Sequence, residues 1–278
     1  MARGSGHGEM PTAQAATAGA WETTAAVRNA LVTVRGLTKR FGKRTAVDGV
    51  SFAIGRGEIF GLLGPNGAGK STTVNILSTY LPPDGGEVTI AGHTLRESMT
   101  VKHLIGVVPQ ELALYEDLTA CENLEFFARL YDVPRAERAA RVRDALERVG
   151  LADRGREPVK GFSGGMKRRL NLAMGILHRP AFLMLDEPTV GVDPQSREKI
   201  FDIITDLQNS GTTLLYTTHY MEEAERLCGR IAIMDDGRIV ASGTLEELLR
   251  LRVEEIVAER PRGLEQLFIQ LTGKRLRD

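Results

Sequence analysis

This sequence has few cysteines, no excess of positive or negative charge and no long apolar runs, and each of these features excludes a class of protein. Two of the 278 residues are cysteine, and Cys121 and Cys228 form no CxxC pair, so there is no disulfide framework and no cysteine-based metal site. The 36 basic residues match the 36 acidic ones, so no overall field favours nucleic acid or an acidic membrane surface. Apolar runs such as 59–63 and 181–185 are several-fold shorter than the roughly 20 residues that cross a bilayer. We therefore expect a globular protein of a reducing compartment, with no membrane span and no nucleic-acid partner.

The first 29 residues differ in composition from the rest of the chain. They are rich in Gly, Ala and Thr and contain no continuous apolar region, which predicts a flexible tail rather than a signal peptide. The remaining residues show no internal repeat, which predicts a single copy of one folding unit. We therefore expect the protein to stay in the cytoplasm.

Hydrophobic periodicity predicts both strands and helices in the first part of the chain. From residue 31 the pattern has a period of two, which predicts an antiparallel β-layer. The run 58–64 predicts a short buried strand, and a helix follows from Lys70 to the prolines at 82–83. Residues 120–150 carry helical spacing and predict a separate helical lobe.

From Phe182 onwards the predicted strands and helices alternate. Such alternation is typical of a parallel sheet with helices on its faces. The sequence then predicts a hairpin turn at Asp236-Gly237, and a capping box made by Thr244 and Glu247 for a helix starting at Leu245. The last 16 residues predict an amphipathic helix with a basic end. The alternating elements are strand 182–186, helix 195–209, strand 212–219, helix 221–228 and strand 230–234.

The segment GPNGAGKST lies between a predicted strand and a predicted helix and matches the phosphate-loop pattern GxxxxGK[ST]. Its glycines allow the backbone to wrap an anion, and the helix N-terminus adds partial positive charge. The pattern predicts that Lys70 reaches the β- and γ-phosphates and that Ser71 binds Mg²⁺. The predicted phosphate-binding residues are Gly64, Pro65, Asn66, Gly67, Ala68, Gly69, Lys70, Ser71 and Thr72.

An apolar run that ends in two carboxylates, FLMLDEP, is typical of a central parallel strand whose C-terminal end meets the ligand. We expect Asp186 to hold Mg²⁺ and Glu187 to orient and deprotonate the attacking water. Taken alone, the pair could also be two exposed acids at the start of a loop. The phosphate loop elsewhere in the chain favours the catalytic interpretation.

Two adjacent glycines behind a serine, in FSGGMKRRL, stand immediately before a predicted helix. By itself SGG is typical of a glycine-containing N-cap turn. Together with the phosphate loop and the acid pair, however, Ser163, Gly164 and Gly165 resemble the signature motif of ATP-binding cassette (ABC) proteins. The resemblance implies that these residues bind the γ-phosphate of an ATP held by the phosphate loop of another copy. It thus implies ATP as the nucleotide and a dimer of two copies.

Four further residues match family positions in order along the chain. Phe41 resembles the aromatic residue that stacks on adenine, although a core position at a strand end is the alternative. Gln110 resembles the glutamine that contacts Mg²⁺ and the attacking water; without the family it is a surface residue after a proline. Asp193 lies in the segment VGVDP, which resembles the loop that crosses to the partner copy. It can equally be an N-cap before Pro194. His219 resembles the histidine that contacts the γ-phosphate from a strand tip.

The resemblance covers nearly everything from about Leu31 to the C-terminus and implies the fold. We expect an α/β P-loop NTPase of ABC type, whose mixed-sheet core carries an antiparallel β-subdomain and an inserted helical subdomain at about 100–178. The nucleotide-binding domain is expected at 30–247, between a flexible tail at 1–29 and a C-terminal helical extension at 248–278.

A complete ATPase site without a membrane span implies a transport subunit. Its expected partner is a separately encoded transmembrane permease, which would hold it at the cytoplasmic face of the cell membrane. The segment 112–118, LALYEDL, is the candidate docking surface, on which Leu114 and Tyr115 would accept a short helix of the permease. A local core strip is the alternative for this segment.

Two residues depart from the family pattern. Met166 stands where Gln is usual and Phe162 where Leu is usual, which puts one hydrogen bond to the partner's nucleotide in doubt but leaves the glycine contacts. The sequence SGGM followed by basic residues, with LTGKRLRD near the end, resembles bacterial drug, antibiotic or sodium efflux subunits such as the daunorubicin-resistance type.

Two other functions fit the sequence less well. A soluble ABC ATPase of DNA repair or ribosome work usually has a long coiled-coil insertion or two cassettes, and this chain has neither. A GTPase or kinase would leave the glycine pair unexplained, and the NKxD guanine motif is absent.

Overall fold

The computed structural model describes residues 30–250 and 263–273. The strands are β1 (Ala30–Phe41), β2 (Arg44–Gly55), β3 (Ile59–Leu63), β4 (Gly85–Ile90), β5 (His93–Thr94), β6 (Ile105–Val108), β7 (Phe182–Asp186), β8 (Thr213–Thr218), β9 (Arg230–Asp235) and β10 (Arg238–Gly243). The helices are α1 (Lys70–Leu77), α2 (Ser98–Leu104), α3 (Ala120–Leu130), α4 (Arg135–Arg148), α5 (Gly164–Ile176), α6 (Pro194–Asn209), α7 (Met221–Leu227), α8 (Leu245–Arg250) and α9 (Leu264–Thr272). The predicted tail at 1–29 and the basic C-terminal end lie outside the described residues.

Two sheets form the core, and both were predicted. The first has the order β2-β1-β4-β5 and is antiparallel. The second has the order β10-β9-β3-β8-β7-β6, and all of its neighbouring strands are parallel except the β9-β10 hairpin. This combination is the mixed α/β architecture expected of an ABC cassette. The domain boundaries themselves stay a prediction.

Every residue of strands β3 and β7 is buried, because both faces of the second sheet are covered. One face packs against the antiparallel sheet, where Phe52 stacks on Phe60 with ring centroids 5.2 Å apart. The other face carries side chains such as Ile59 and Leu183, which pack against the helices. Alternate side chains of one strand therefore belong to two different cores.

The segment 120–150, predicted to be helical, consists of two helices. Helix α3 ends at Leu130, Asp132 adopts a left-handed backbone with φ 54°, and Pro134 precedes α4 as its N-cap residue. A proline lacks the backbone donor that a continuous helix needs, so it starts a new helix here. Helix α1 is likewise shorter than predicted: it ends at Leu77, and Thr79 takes φ 63°.

The C-terminal part confirms two local predictions. Asp236 and Gly237 have φ 43° and 83° in the turn between β9 and β10, as a two-residue hairpin of this hand requires. Thr244 and Glu247 form the capping box of α8: each backbone N–H donates to the other side chain, at 2.8 and 3.2 Å. Among residues 30–250 and 263–273, no helix combines the length and hydrophobicity needed to cross a membrane.

Candidate functional site

The phosphate loop connects the C-terminal end of β3 to the start of α1. Gly67 and Gly69 have φ 82° and 107°, in the left-handed region that glycine adopts without strain. A side chain on Gly69 would also place its Cβ 2.4 Å from the Ala46 carbonyl oxygen. Both glycines are therefore required by the turn, which brings the following Lys70 to the first position of the helix.

Residues from three separate motifs meet beside this loop. The Lys70 ammonium lies 3.1 Å from Glu187 Oε1 and donates to the carbonyl oxygens of Gly64 and Pro65 at 2.7 and 3.0 Å. The other Glu187 oxygen lies 3.3 Å from His219 Nδ1, a contact that lacks hydrogen-bond geometry. The Glu187 side chain is only 5% exposed, so its carboxylate is held between two potential cations away from water.

A residue that the sequence analysis missed, Thr217, aligns the acid pair. Its hydroxyl donates to Asp186 Oδ1 at 2.6 Å and accepts from the Glu187 backbone N–H at 3.0 Å. Glu187 itself has φ 46°, a conformation that costs a non-glycine residue energy. The contact exists because Thr217 is the register partner of Asp186 between β7 and β8. The alternation of strands was visible in the sequence, but their register was not.

An open cleft of about 540 Å³ lies in front of the phosphate loop. Phe41 is 51% exposed at its wall, so the core interpretation of this residue is wrong. Arg44, which the sequence analysis did not single out, donates to the Gly67 carbonyl oxygen at 3.1 Å. The lining residues are Phe41, Arg44, Ala46, Asn66, Gly67, Gly69, Lys70, Ser71, Thr72, Gln110 and Glu187.

The donor set near the cleft is made of oxygen atoms. Ser71 offers a hydroxyl and Gln110 an amide at the cleft, and the buried Asp186 carboxylate immediately precedes Glu187, which also lines the cleft. Such oxygen donors suit Mg²⁺, which keeps several ligands from water and phosphate rather than from an all-protein cage. The described residues contain no cluster of three or more His, Cys, Asp or Glu that could hold a metal.

Ser163, which precedes the two glycines, is the N-cap of helix α5. Its Oγ accepts a hydrogen bond from the Met166 backbone N–H at 3.2 Å. The N-cap interpretation is therefore confirmed. The two glycines differ: Gly164 is exposed and a Cβ there would meet nothing within 4 Å, whereas a Cβ on Gly165 would lie 2.2 Å from Ser196 Oγ. Gly165 thus permits α5 to contact α6, and Gly164 alone presents open backbone. None of the three motif residues lines the cleft of its own chain.

Asp193 also serves as a cap in its own chain. Its Oδ1 accepts from the Ser196 backbone N–H at 2.9 Å, and Pro194 occupies the first turn of α6. Hydrogen bonds from the side chain and the backbone of Ser196 lower the pKa of Asp193 below its usual value. Since Ser196 also lies against Gly165, the Asp193 loop and the glycine pair are neighbours in the fold.

A buried polar network that the sequence did not reveal lies behind His219. Glu223 is 3% exposed and accepts from the hydroxyls of Thr189, Tyr216 and Thr218 at 2.7, 2.8 and 2.8 Å. Burial, and then the adjacent carboxylate, raise the pKa of Tyr216 well above its usual value. The network joins the strand that leads to His219 to the loop that follows the acid pair. Glu223 lies in the helical segment MEEAER, and the sequence analysis did not single it out.

Comparison with known proteins agrees with this geometry. A family model described as ABC transporter matches residues 47–190. The chain is 46% identical, over 84% of its length and 76% of the relative, to the linearmycin resistance ATP-binding protein LnrL of Bacillus subtilis (strain 168). It is 46% identical, over 78% of its length and 69% of the relative, to the daunorubicin resistance ATP-binding protein DrrA3 of Streptomyces coeruleorubidus.

A solved structure gives the same fold. The dimeric structure of an ATP-binding cassette in a post-hydrolysis state, bound to ADP and Pi, superposes with a TM-score of 0.69 at 28% identity, over 77% of this chain and 98% of that one. The relatives above are named as ATP-binding proteins of linearmycin and daunorubicin resistance, which does not support the DNA-repair or ribosome alternative. The chain therefore belongs to the ABC transporter family, as an ATP-binding subunit that hydrolyses ATP.

Proposed function

We propose that Glu187 is the general base of ATP hydrolysis in this chain. The observation that carries the proposal is the buried contact of its carboxylate with both Lys70 and His219 at the phosphate loop. The carboxylate would accept a proton from the water that attacks the γ-phosphate, while Thr217 fixes the backbone of the acid pair. His219 would contact the γ-phosphate from the end of β8.

Lys70 would exchange partners when ATP binds. Its ammonium lies against Glu187 and two loop carbonyls, and a triphosphate offers it a stronger anionic partner. The exchange would release the Glu187 carboxylate for the water molecule. Phe41 would stack on adenine, for which its half-exposed ring at the cleft wall is suited.

Ser71, Asp186 and Gln110 would hold Mg²⁺, which supplies charge neutralisation on the phosphate oxygens when bound. The hydrogen bond from the Thr217 hydroxyl would hold the Asp186 carboxylate in one orientation for this role. Gln110 is the first residue of an exposed segment, so binding of a partner to that segment would change the position of the Gln110 side chain.

We further propose that Ser163, Gly164 and Asp193 act on the nucleotide of a second copy. They lie outside their own cleft, and Gly164 presents exposed backbone at a helix N-terminus, which favours an anion. A similar cassette was solved as a dimer, which supports this arrangement.

An exposed apolar surface is the proposed docking site for a transmembrane permease. It consists of Leu112, Tyr115, Leu118, Phe126 and Leu130, which are 39%, 50%, 36%, 44% and 64% exposed. Tyr115 and Phe126 pack edge to face with centroids 5.2 Å apart. Of the two residues first expected at the contact, Tyr115 belongs to this surface. Leu114, by contrast, is partly buried against the core.

This docking surface is linked to the glycine-pair helix. Glu116 accepts from Lys167 of α5 at 2.6 Å, and the Leu118 carbonyl accepts from the Val159 backbone N–H at 2.9 Å. A permease bound there could move α5 and its nucleotide contacts. We propose that the chain works in this way at the cytoplasmic face of the membrane, exporting a drug, antibiotic or ion. Two relatives named for resistance to linearmycin and to daunorubicin support a drug or antibiotic.

Membrane recovery tests the docking proposal. We expect the chain to fractionate with membranes only when a candidate permease, sought among the neighbouring reading frames, is co-expressed. Tyr115→Glu should lower that recovery at least about 10-fold, because it places a charge in an apolar contact. The control is Tyr80→Glu, which changes an 82% exposed tyrosine outside the docking surface. Recovery without the permease, or equal recovery of both variants, would contradict the proposal.

A further inference from the structure

Arg168 lies on α5 with its guanidinium between two loops of the site. Nη1 donates to the carbonyl oxygens of Gln110 and Pro109 at 2.7 and 3.3 Å, and Nη2 donates to the Val190 carbonyl at 3.3 Å. The first loop carries the Gln110 side chain into the cleft. The second connects Glu187 to Asp193. One side chain therefore joins three separate segments of the chain.

The contact is buried. Arg168 is only 8% exposed, and burial lowers the pKa of its guanidinium. Its three acceptors are backbone carbonyl oxygens, so the backbone of each loop must stay within hydrogen-bond distance of the guanidinium. A displacement of either loop would leave a buried guanidinium N–H group without a hydrogen-bond acceptor.

Only an arginine can span this gap with the geometry observed. Its two Nη atoms form a rigid planar fork that can donate to both loops at once. Lysine keeps the positive charge but presents it at a single nitrogen atom on a flexible stem. The two functions of Arg168, charge and bridging, can therefore be separated by substitution.

The neighbouring Arg169 provides a natural comparison. It is also 8% exposed, and burial also lowers its pKa. However, its Nη1 donates to the carbonyl oxygens of Val149 and Gly150, at 2.6 and 3.1 Å, which both follow α4. Arg169 thus links α5 to a single segment, the end of α4. It donates to neither of the two loops that Arg168 joins.

We propose that Arg168 is a positioning residue for ATP hydrolysis: it locks the Gln110 loop to the loop between Glu187 and Asp193. The proposal rests on the proposed roles of Gln110 and Glu187. Movement of the part of the docking surface that follows Gln110 in sequence, from Leu112 to Leu118, is passed through this guanidinium to the loop that faces the second copy.

A double-mutant cycle on the purified full-length chain tests the proposal. We expect Arg168→Lys to lower kcat at least about 10-fold while KM and the Kd for ATP stay within about twofold, because the phosphate loop is untouched. It should also raise the Mg²⁺ concentration that gives half-maximal rate. Because Arg168 acts through Gln110, Gln110→Ala combined with Arg168→Lys should lose no more activity than the larger single effect. The same measurements on Arg169→Lys should show at most a lower Tm, and its effect should add to that of Gln110→Ala.

Two results would overturn the positioning role. One is a kcat for Arg168→Lys within about twofold of wild type; the other is an equal loss in Arg168→Lys and Arg169→Lys at matched Tm. Arg168→Gln provides a second variant, with a neutral side chain, and normal ATP binding shows that each variant is folded. Failure of the proposed function looks different: Glu187→Gln and Gln110→Ala would keep full activity in the otherwise wild-type chain.

Discussion

Replacing Glu187 with glutamine is expected to lower kcat for ATP hydrolysis by about 10²- to 10⁴-fold, while ATP still binds. Glutamine has nearly the same shape as glutamate but cannot accept the proton of the attacking water. The backbone contact with Thr217 does not involve the altered side chain, so the position of the residue should persist. Single-turnover hydrolysis and equilibrium binding of ATP measure the two quantities separately.

The matched control is Glu58→Gln. Glu58 precedes β3 at the end opposite the phosphate loop, where it pairs with Arg230 at 2.6 Å. Losing that pair should lower stability but leave kcat within about twofold, since the carboxylate has no access to the cleft. Undiminished turnover in the Glu187 variant would remove this residue as the base.

Replacing Lys70 with alanine is expected to raise the Kd for ATP by about 10- to 100-fold, the usual effect of deleting a charged hydrogen-bond donor. The side chain is 4% exposed, and its ammonium is the cation that contacts both the loop carbonyls and Glu187. Its removal leaves the phosphates without that charge. Isothermal titration with ATP and Mg²⁺ measures the change.

The control for charge alone is Lys102→Ala, an exposed lysine of α2 that does not line the cleft. It removes the same charge from the protein and should leave the Kd for ATP unaltered. An ATP affinity of the Lys70 variant equal to that of this control would contradict the phosphate-binding role.

Local motifs were readable from the sequence because their residues are close along the chain. The phosphate loop needs glycines at fixed spacing, and two of them, Gly67 and Gly69, take the positive φ that the turn requires. The acid pair ends a buried strand in the structure as in the prediction. In these places a short segment determines its own geometry.

Residues that act across the fold were not readable. Thr217 aligns the acids only because β7 and β8 pair in one register, and Arg168 joins loops 58 and 22 residues away in sequence. The distinction between Gly164 and Gly165 likewise depends on Ser196, which packs from another helix. Such contacts follow from tertiary packing, and a single sequence carries no signal for them.

Ser163 and the exposed Gly164 of one copy are proposed to complete the nucleotide site of another. The most direct measurement is the mass of Glu187→Gln in solution with ATP and Mg²⁺, with and without a second change, Gly164→Asp. An acidic residue in the first turn stabilises its own helix, but this one would face the partner's γ-phosphate. We expect the mass to double from 30.4 kDa in the single variant, and the double variant to bind ATP yet remain a monomer. A dimer that forms equally well with Gly164→Asp, or a single variant that stays monomeric with ATP bound, would contradict the account.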